Sequence, residues 1–242
     1  MRKLIVNCDD FGISRGCNYG IQDLHRAGVL TSTTMLVNGP EIDHAVEISK
    51  QNPELGIGLH MCLTMFKPCT NLDIICDENG EMNRKVEFYE GLVIDTDLIY
   101  NEWKAQIERF IFLMGKKPTH LDSHHHIHEI EYIRPVAIKL ANEYGLPIRA
   151  LETNRGRVAF SKGFYGENSN FDAFKKEIEL LLTDQTADAY EFSCHVGYVD
   201  ETIKRVTSYS TNRCLELENL LDPKILEYIN EQKFRLCRFD QI

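Results

Sequence analysis

The sequence has no long apolar run and no excess of positive charge. Its 242 residues include 27 Lys and Arg against 37 Asp and Glu, which gives a formal net charge of −10 at pH 7. No stretch approaches the ~20 consecutive apolar residues that a membrane-spanning helix needs. The charge balance argues against nucleic acid or an anionic membrane surface as a partner, because both attract a basic face. A neutral or cationic small substrate is compatible with this charge.

The eight cysteines lack the Cys-x-x-Cys spacing that is typical of zinc ribbons and thioredoxin-like redox sites. The opening residues also lack a secretory signal, since the apolar run at 4–6 is too short for one. We therefore expect free thiols and a cytoplasmic setting.

Short apolar runs alternate with longer amphipathic runs along the whole chain. The predicted strands are 3–8, 31–37, 55–60, 119–122, 147–151, 189–195 and 234–239. The predicted helices are 17–27, 41–50, 95–114, 129–144, 171–182 and 222–232. Repeated strand–helix units indicate an α/β protein with a parallel sheet and helices outside it.

Seven such strands in one chain favour a (β/α) barrel, TIM-like and either complete or distorted, over two domains. A doubly wound open sheet is the alternative. No Ser-, Pro- or Gly-rich linker divides the chain, so we expect a single domain over 1–242. The least regular segments are 61–91 and 152–170, and loops of this length in a compact domain are typical of lids or binding loops.

Five of the nine histidines lie in one tract, residues 120–128, which reads HLDSHHHIH. Imidazole is the commonest nitrogen ligand for metals. A solvated loop or an expression tag is the alternative interpretation of such a tract. This tract is internal, follows a predicted strand and contains an aspartate, so we interpret it as part of a metal site.

Acidic and histidine side chains follow four of the predicted strands. Asp9 and Asp10 follow the first strand, and His60, Asp122 and His195 end three others. Functional sites of barrels and open α/β sheets gather at the carboxyl ends of the strands. Each residue alone could be a turn aspartate or a satisfied core histidine. Together they predict one site at one rim of the fold.

This set of residues suits the hydrolysis of an amide bond. Asp10, His60 and one histidine of the tract would give a metal three protein ligands, which leaves room for water and substrate. The metal would acidify the water and polarise a carbonyl oxygen. Asp9 is then the candidate base, and His195 the candidate acid that protonates the leaving amine.

Four motifs resemble those of the YdjC-like carbohydrate deacetylases, which include chitooligosaccharide deacetylases. They are NCDDFG at 7–12, TSTT at 31–34, GLH at 58–60 and PTHLDSHHHIH at 118–128. The resemblance covers nearly the whole chain. It implies a barrel of the glycoside hydrolase/deacetylase type, a divalent metal, usually magnesium, and a homodimer. It also implies removal of acetyl groups from N-acetylated sugars during cytoplasmic oligosaccharide degradation.

The resemblance also implies roles for individual residues. Asp10, His60 and His124 match the metal ligands, with His125 as the fallback for the last of these, and Asp9 matches the base. Residues 194–197 read CHVG, which departs from the family's usual His-Pro pairing after the strand. Two imidazoles and a carboxylate suit zinc or another transition metal better than magnesium, which prefers oxygen ligands.

Two other functions use some of the same residues. Two histidines and a carboxylate also form the iron site of non-haem oxygenases. The strand–helix pattern argues against that function, because it is unlike a double-sheet jelly roll. A metal-assisted, non-catalytic sugar-binding protein is the third possibility, although binding alone does not need Asp9. Arg149 could contact a sugar hydroxyl or phosphate, or form a structural salt bridge.

Overall fold

The strands of the computed structural model, which describes residues 2–242, pair in parallel. They are β1 (Arg2–Phe11), β2 (Ser32–Met35), β3 (Gly56–Met61), β4 (Leu121–Ser123), β5 (Val158–Ser161), β6 (Ala189–Cys194) and β7 (Phe234–Leu236). The helices are α1 (Arg15–Arg26), α2 (Ile42–Gln51), α3 (Lys85–Tyr89), α4 (Thr96–Met114), α5 (Arg134–Tyr144), α6 (Phe171–Leu181), α7 (Glu201–Val206), α8 (Thr211–Leu220) and α9 (Lys224–Glu231).

The sheet follows the order β4-β3-β2-β1-β6-β5, and β7 pairs with the start of β1. The central strand β1 is buried along almost its whole length, as expected for a parallel strand covered on both faces. Along residues 2–242, no pairing joins the two end strands β4 and β5. The predicted α/β class and parallel sheet are confirmed, and the sheet has the form of a parallel half-barrel.

The strand predicted at 147–151 is wrong. Ile148 makes only isolated bridges, one to Leu121 and one to Leu151. Ala150 has a φ of 59°, which interrupts extended pairing, and the neighbouring Arg149 is fully buried. The strand β5 lies at the opposite end of the sheet, beside β6, inside a segment that the sequence pattern assigned to irregular structure.

Helix α1 packs closely against the turn that follows β6. The helix begins after Ser14, whose hydroxyl accepts a hydrogen bond from the backbone N–H of Cys17. A Cβ atom added to Gly20 would lie only 2.7 Å from the Cα of Gly197. This contact therefore needs glycine at position 20, and it fixes the turn beside His195.

The helices pack against the sheet, and their apolar sides continue its core. The fully buried core includes Trp103 and Phe110 from α4 and Phe174 from α6. In the described part of the chain, no helix is both long enough and apolar enough to cross a membrane.

Candidate metal centre and active site

A bulge at the end of β1 brings two adjacent carboxylates to the same cavity. Side chains of consecutive residues in a regular strand point to opposite faces. The pairing of β1 with β2 shifts register between Cys8 and Phe11, and Asp10 has a φ of 69°. Both Asp9 and Asp10 consequently line the same cavity.

Asp10, His60 and His124 bring three ligand atoms together in the buried interior. Asp10 Oδ1 lies 3.4 Å from His60 Nε2 and 3.1 Å from His124 Nδ1. The two histidine nitrogens are 3.3 Å apart. Asp10 Oδ1 is buried and makes no hydrogen bond within the described residues.

The spacing of these three atoms fits a small metal ion. Ligand atoms about 2.0–2.1 Å from a tetrahedral ion lie roughly 3.3–3.4 Å from one another. All three residues are buried, and together they could hold an ion. The donor set of one carboxylate and two imidazoles suits a divalent transition metal.

The backbone of the histidine tract separates the roles of its three consecutive histidines. His125 and His126 both have φ values near the left-handed region, 54° and 53°. His125 Nδ1 lies 2.9 Å from the hydroxyl oxygen of Thr64. Of the two sequence candidates, the structure therefore brings His124, and not His125, to Asp10 and His60.

The outer histidines of the tract are buried parts of the framework. The ring of His120 stacks on Phe239 with centroids 3.6 Å apart. His128 Nδ1 lies 2.6 Å from the hydroxyl of Ser123, and its Nε2 lies 3.2 Å from the carbonyl oxygen of Arg149. Contacts within the fold account for both ring nitrogens of His128, whereas Nε2 of His120 makes no hydrogen bond within the described residues.

Asp122 orients the ring of His60. Asp122 Oδ1 lies 2.7 Å from His60 Nδ1, and Thr34 donates its hydroxyl proton to Asp122 Oδ2. Burial by itself lowers the pKa of His60, but the carboxylates of Asp122 and Asp10 outweigh it and raise the pKa to about 10. A carboxylate behind a ligand histidine is typical of metal sites, where it fixes the ring and its tautomer. The sequence pattern predicted Asp122 at the rim but not this role.

Arg149 pairs with three buried carboxylates. Its guanidinium donates to both oxygens of Asp9, at 2.7 and 2.6 Å. It also lies 3.0 Å from Asp122 and 2.7 Å from Glu191. Burial opposes ionisation of Asp9, but the charge and hydrogen bonds of Arg149 dominate and hold its pKa well below the ordinary range. Because Arg149 is fully buried, its role is the structural salt bridge and not a sugar contact.

Helix α8 supplies two buried residues that sequence analysis missed. Arg213 donates to Asp10 Oδ2 at 2.6 Å. Glu216 accepts a hydrogen bond from the backbone N–H of His195 at 2.6 Å and another from the hydroxyl of Tyr209. The spacing of three between Arg213 and Glu216 places them on one helix face, which was the available signal.

His195 reaches the cavity beside Asp9. Its Nε2 lies 3.8 Å from Asp9 Oδ2, and about 20% of its side chain is exposed. Burial lowers the pKa of His195 to about 4, although Asp9 and Asp10 oppose the shift. The imidazole is therefore neutral near pH 7. Because Glu216 holds its backbone, the position of His195 is fixed without a following proline.

The cavity above these residues has a volume of about 410 Å³. That volume lies within the range of about 300–1,000 Å³ that is usual for small-molecule sites. Both segments predicted to be binding loops contribute to its walls. Lys85 and Tyr89 come from the first, and Lys162, Phe164 and Tyr165 come from the second.

The sequence matches known proteins over nearly its whole length. The family model described as YdjC-like protein matches residues 3–231. Carbohydrate deacetylase 2 of Listeria innocua is 38% identical, over 99% of this chain and 98% of its own. The carbohydrate deacetylase of Geobacillus stearothermophilus is 39% identical, over 98% of this chain and 97% of its own length. The chitooligosaccharide deacetylase of Yersinia pestis is 37% identical over 98% of each.

Solved structures match the fold. A crystal structure from Enterococcus faecalis, of a protein whose suggested activity is cellobiose-phosphate cleavage, has a TM-score of 0.88 and 29% identity. The match covers 99% of this chain and 98% of that one. A Streptococcus mutans CE4 esterase has a TM-score of 0.62 at 12% identity, and the match covers 98% of this chain and 85% of that one. At this identity the likeness shows a shared fold alone. With the family model matching most of its length, this chain belongs to the YdjC-like family.

Proposed function

We propose that this chain is a metal-dependent carbohydrate deacetylase, working as a single domain over residues 1–242. It would hydrolyse the acetamide of N-acetylated sugars of the chitooligosaccharide or N-acetylglucosamine type, as a step in oligosaccharide degradation. Relatives that match along the whole chain are named carbohydrate and chitooligosaccharide deacetylases. They confirm the predicted enzyme class, a hydrolase that acts on amide bonds.

The observation that carries this proposal is the buried triangle of Asp10, His60 and His124 at the base of the cavity. A divalent metal held there would acidify water and polarise the acetamide oxygen. The 3.1–3.4 Å separations favour a tetrahedral transition metal such as zinc. Cis ligands of octahedral magnesium would lie closer together, at roughly 2.8–3.0 Å.

Asp9 is the proposed base, because it is ionised and lies on the cavity wall. It would accept the proton that the attacking water loses. His195 is the proposed acid, with its Nε2 only 3.8 Å from Asp9 Oδ2. Since its imidazole is neutral near pH 7, we propose that this proton passes from Asp9 to His195 and then to the leaving amine. Acetate and a free amino sugar are the products.

The cytoplasmic setting and the homodimer that the resemblance implies stay predictions. So does magnesium as the physiological metal. The resemblance names it, whereas the donor set and its spacing support zinc.

The test of the reaction is acetate release from a panel of N-acetylated mono- and disaccharides. The Asp9→Asn variant keeps the shape of the side chain but cannot serve as the base, so we expect its kcat to fall by about 10²–10⁴-fold. Asp188→Asn is the control, because this exposed aspartate accepts a backbone hydrogen bond from Arg157 far from the cavity. No acetate from any sugar would overturn the proposed function. An unchanged kcat in Asp9→Asn would overturn only the role of Asp9.

A further inference from the structure

Two stacked tyrosines form part of the cavity wall. The rings of Tyr165 and Tyr209 are 4.0 Å apart with an angle of 13° between their planes. Both residues line the cavity. Tyr165 forms the outer member of the pair and is 54% exposed. The stack covers one face of its ring, so that much of the remaining ring surface is open to solvent.

The inner ring is held rigidly by hydrogen bonds. The hydroxyl of Tyr209 donates to Glu216 and accepts the backbone N–H of Gly166 at 2.6 Å. Both tyrosine rings also pack edge-to-face with the imidazole of His195. The ring centroids of Tyr165 and Tyr209 lie 5.5 and 5.9 Å from that of His195. The outer ring is therefore presented in a fixed orientation directly beside the proposed acid, at little entropic cost on binding.

A pyranose ring complements such a surface. One of its faces exposes mainly C–H bonds, which pack on an aromatic face, while its hydroxyl groups point outward around the ring. Polar side chains surround the tyrosine pair in the same cavity, among them Lys162, Ser193 and Thr207. An apolar surface with a few polar groups around it is the usual composition of a small-molecule site.

We propose that Tyr165, supported by Tyr209, forms a stacking platform that binds a pyranose ring of the substrate. This inference rests on the proposed deacetylase function, and it adds a specificity-determining residue to that site. Tyr165 contributes to binding and takes no part in proton transfer. Its removal should consequently affect KM and leave kcat nearly unchanged.

The first test compares steady-state constants for an N-acetylglucosamine disaccharide. We expect Tyr165→Ala to raise KM about three- to tenfold, the range for loss of an aromatic contact, with kcat within about twofold of wild type. Tyr165→Phe should resemble the wild type, since it keeps the ring face. Tyr165→Leu keeps apolar bulk against Tyr209 but lacks the aromatic face, so its KM should also rise. Thermal unfolding of each variant reports whether the fold is intact.

Tyr19→Ala is the matched control. Tyr19 is 47% exposed and packs edge-on against His44 at 4.8 Å. It lies outside the residues that line the cavity. Its replacement by alanine removes a surface aromatic of similar exposure and should leave KM unchanged.

The second test measures binding without turnover. The deacetylated disaccharide has no acetamide to hydrolyse, so calorimetric titration of the metal-loaded enzyme gives its Kd directly. Tyr165→Ala and Tyr165→Leu should both raise this Kd by the same three- to tenfold. If both folded variants keep the wild-type KM and Kd, the platform is refuted. If the wild type releases no acetate at all, the proposed function fails instead, and the Kd comparison still decides whether Tyr165 binds sugar.

Discussion

The three buried aspartates around the candidate centre each contact a cationic or imidazole group. Asp9 pairs with Arg149, Asp10 with Arg213, and Asp122 with the ring of His60. Buried charges are costly unless they are paired and hydrogen-bonded. This pairing keeps one oxygen of Asp10 free of hydrogen bonds and directed at the two histidines.

The contact between Asp122 and His60 predicts a metal-affinity effect. Asp122→Asn keeps the size of the side chain but replaces the charged hydrogen bond to His60 Nδ1 with a weaker, neutral one. We expect metal affinity to fall about 10–100-fold, as is typical for partners behind a ligand histidine. Competition with a chelator of known affinity measures the change.

At saturating metal, most of the activity of Asp122→Asn should return. Asp188→Asn serves again as the control for loss of one carboxylate. Equal metal affinity in Asp122→Asn and wild type would contradict the role of Asp122 in orienting His60.

Glu216 links protonation to stability. Burial raises its pKa to about 8 from an ordinary value of 4.5, although hydrogen bonds from Tyr209 and His195 oppose the shift. The folded state therefore holds this proton at pH values where the unfolded chain has lost it. The resulting stabilisation is complete below about pH 4.5 and disappears as the pH rises through 8.

We predict that Glu216→Gln reduces the loss of stability between pH 5 and pH 8. Glutamine keeps the shape and has no proton to lose in this range. Denaturant unfolding at both pH values gives the two free energies. Glu218→Gln, at an exposed position of the same helix, controls for the removal of one negative charge. If Glu216→Gln loses as much unfolding free energy between pH 5 and pH 8 as the wild type does, Glu216 is not the group that links protonation to stability.

Sequence motifs could identify the residues that lie at strand ends. Asp9, Asp10, His60 and His195 follow recognisable strands, and the structure brings them together with His124. Arg213 could not be found in this way, because it meets Asp10 across 203 positions of the chain. Such contacts depend on how helices pack, which local patterns do not specify.

Among the elements, α1 and the turn after β6 determine where His195 stands. Gly20 on the helix and Gly197 in the turn make a backbone contact that leaves no room for a side chain. The same turn follows His195 directly, so its displacement would move the imidazole.

We predict that Gly20→Ala lowers both stability and kcat. The added Cβ would meet backbone atoms, which cannot rotate away as a side chain can. We expect overpacking to cost about 1–3 kcal/mol of unfolding free energy. Urea unfolding and the acetate assay measure the two effects.

Gly115→Ala is the control, because it should lower stability through backbone strain without disturbing any packing contact. Gly115 ends α4 with a φ of 67° and has nothing within 4 Å of its added Cβ. Alanine there should cost about 1–2 kcal/mol through backbone strain, with kcat unchanged. If both variants keep full kcat, the packing of α1 does not position His195.

Strand and helix patterns predicted most of the architecture, because most elements are long and periodic. The strand at 147–151 was wrong, and β5 and the helices α3, α7 and α8 were missed. α3 and α7 are short, with five and six residues. Helix α8 is longer, but it buries the charged residues Arg213 and Glu216 at positions where an apolar pattern would normally indicate a core face.

For the molecule as a whole, the parallel sheet explains how distant segments form one site. β1, β3 and β6 and the turn after β4 all deliver residues to the same edge. The triangle of Asp10, His60 and His124 at this edge could hold a metal ion.

Acetate release by metal-stripped protein, before and after addition of a single metal, tests this account most directly. We predict that the stripped enzyme is inactive towards N-acetylated disaccharides. One equivalent of zinc or cobalt should restore activity at least as well as magnesium does. His60→Ala and His124→Ala should bind zinc weakly and regain little acetate release when it is added. His125→Ala should bind zinc as the wild type does. Full acetate release by protein shown to contain no metal would contradict the central claim, and rescue by magnesium alone would contradict the preference for a transition metal.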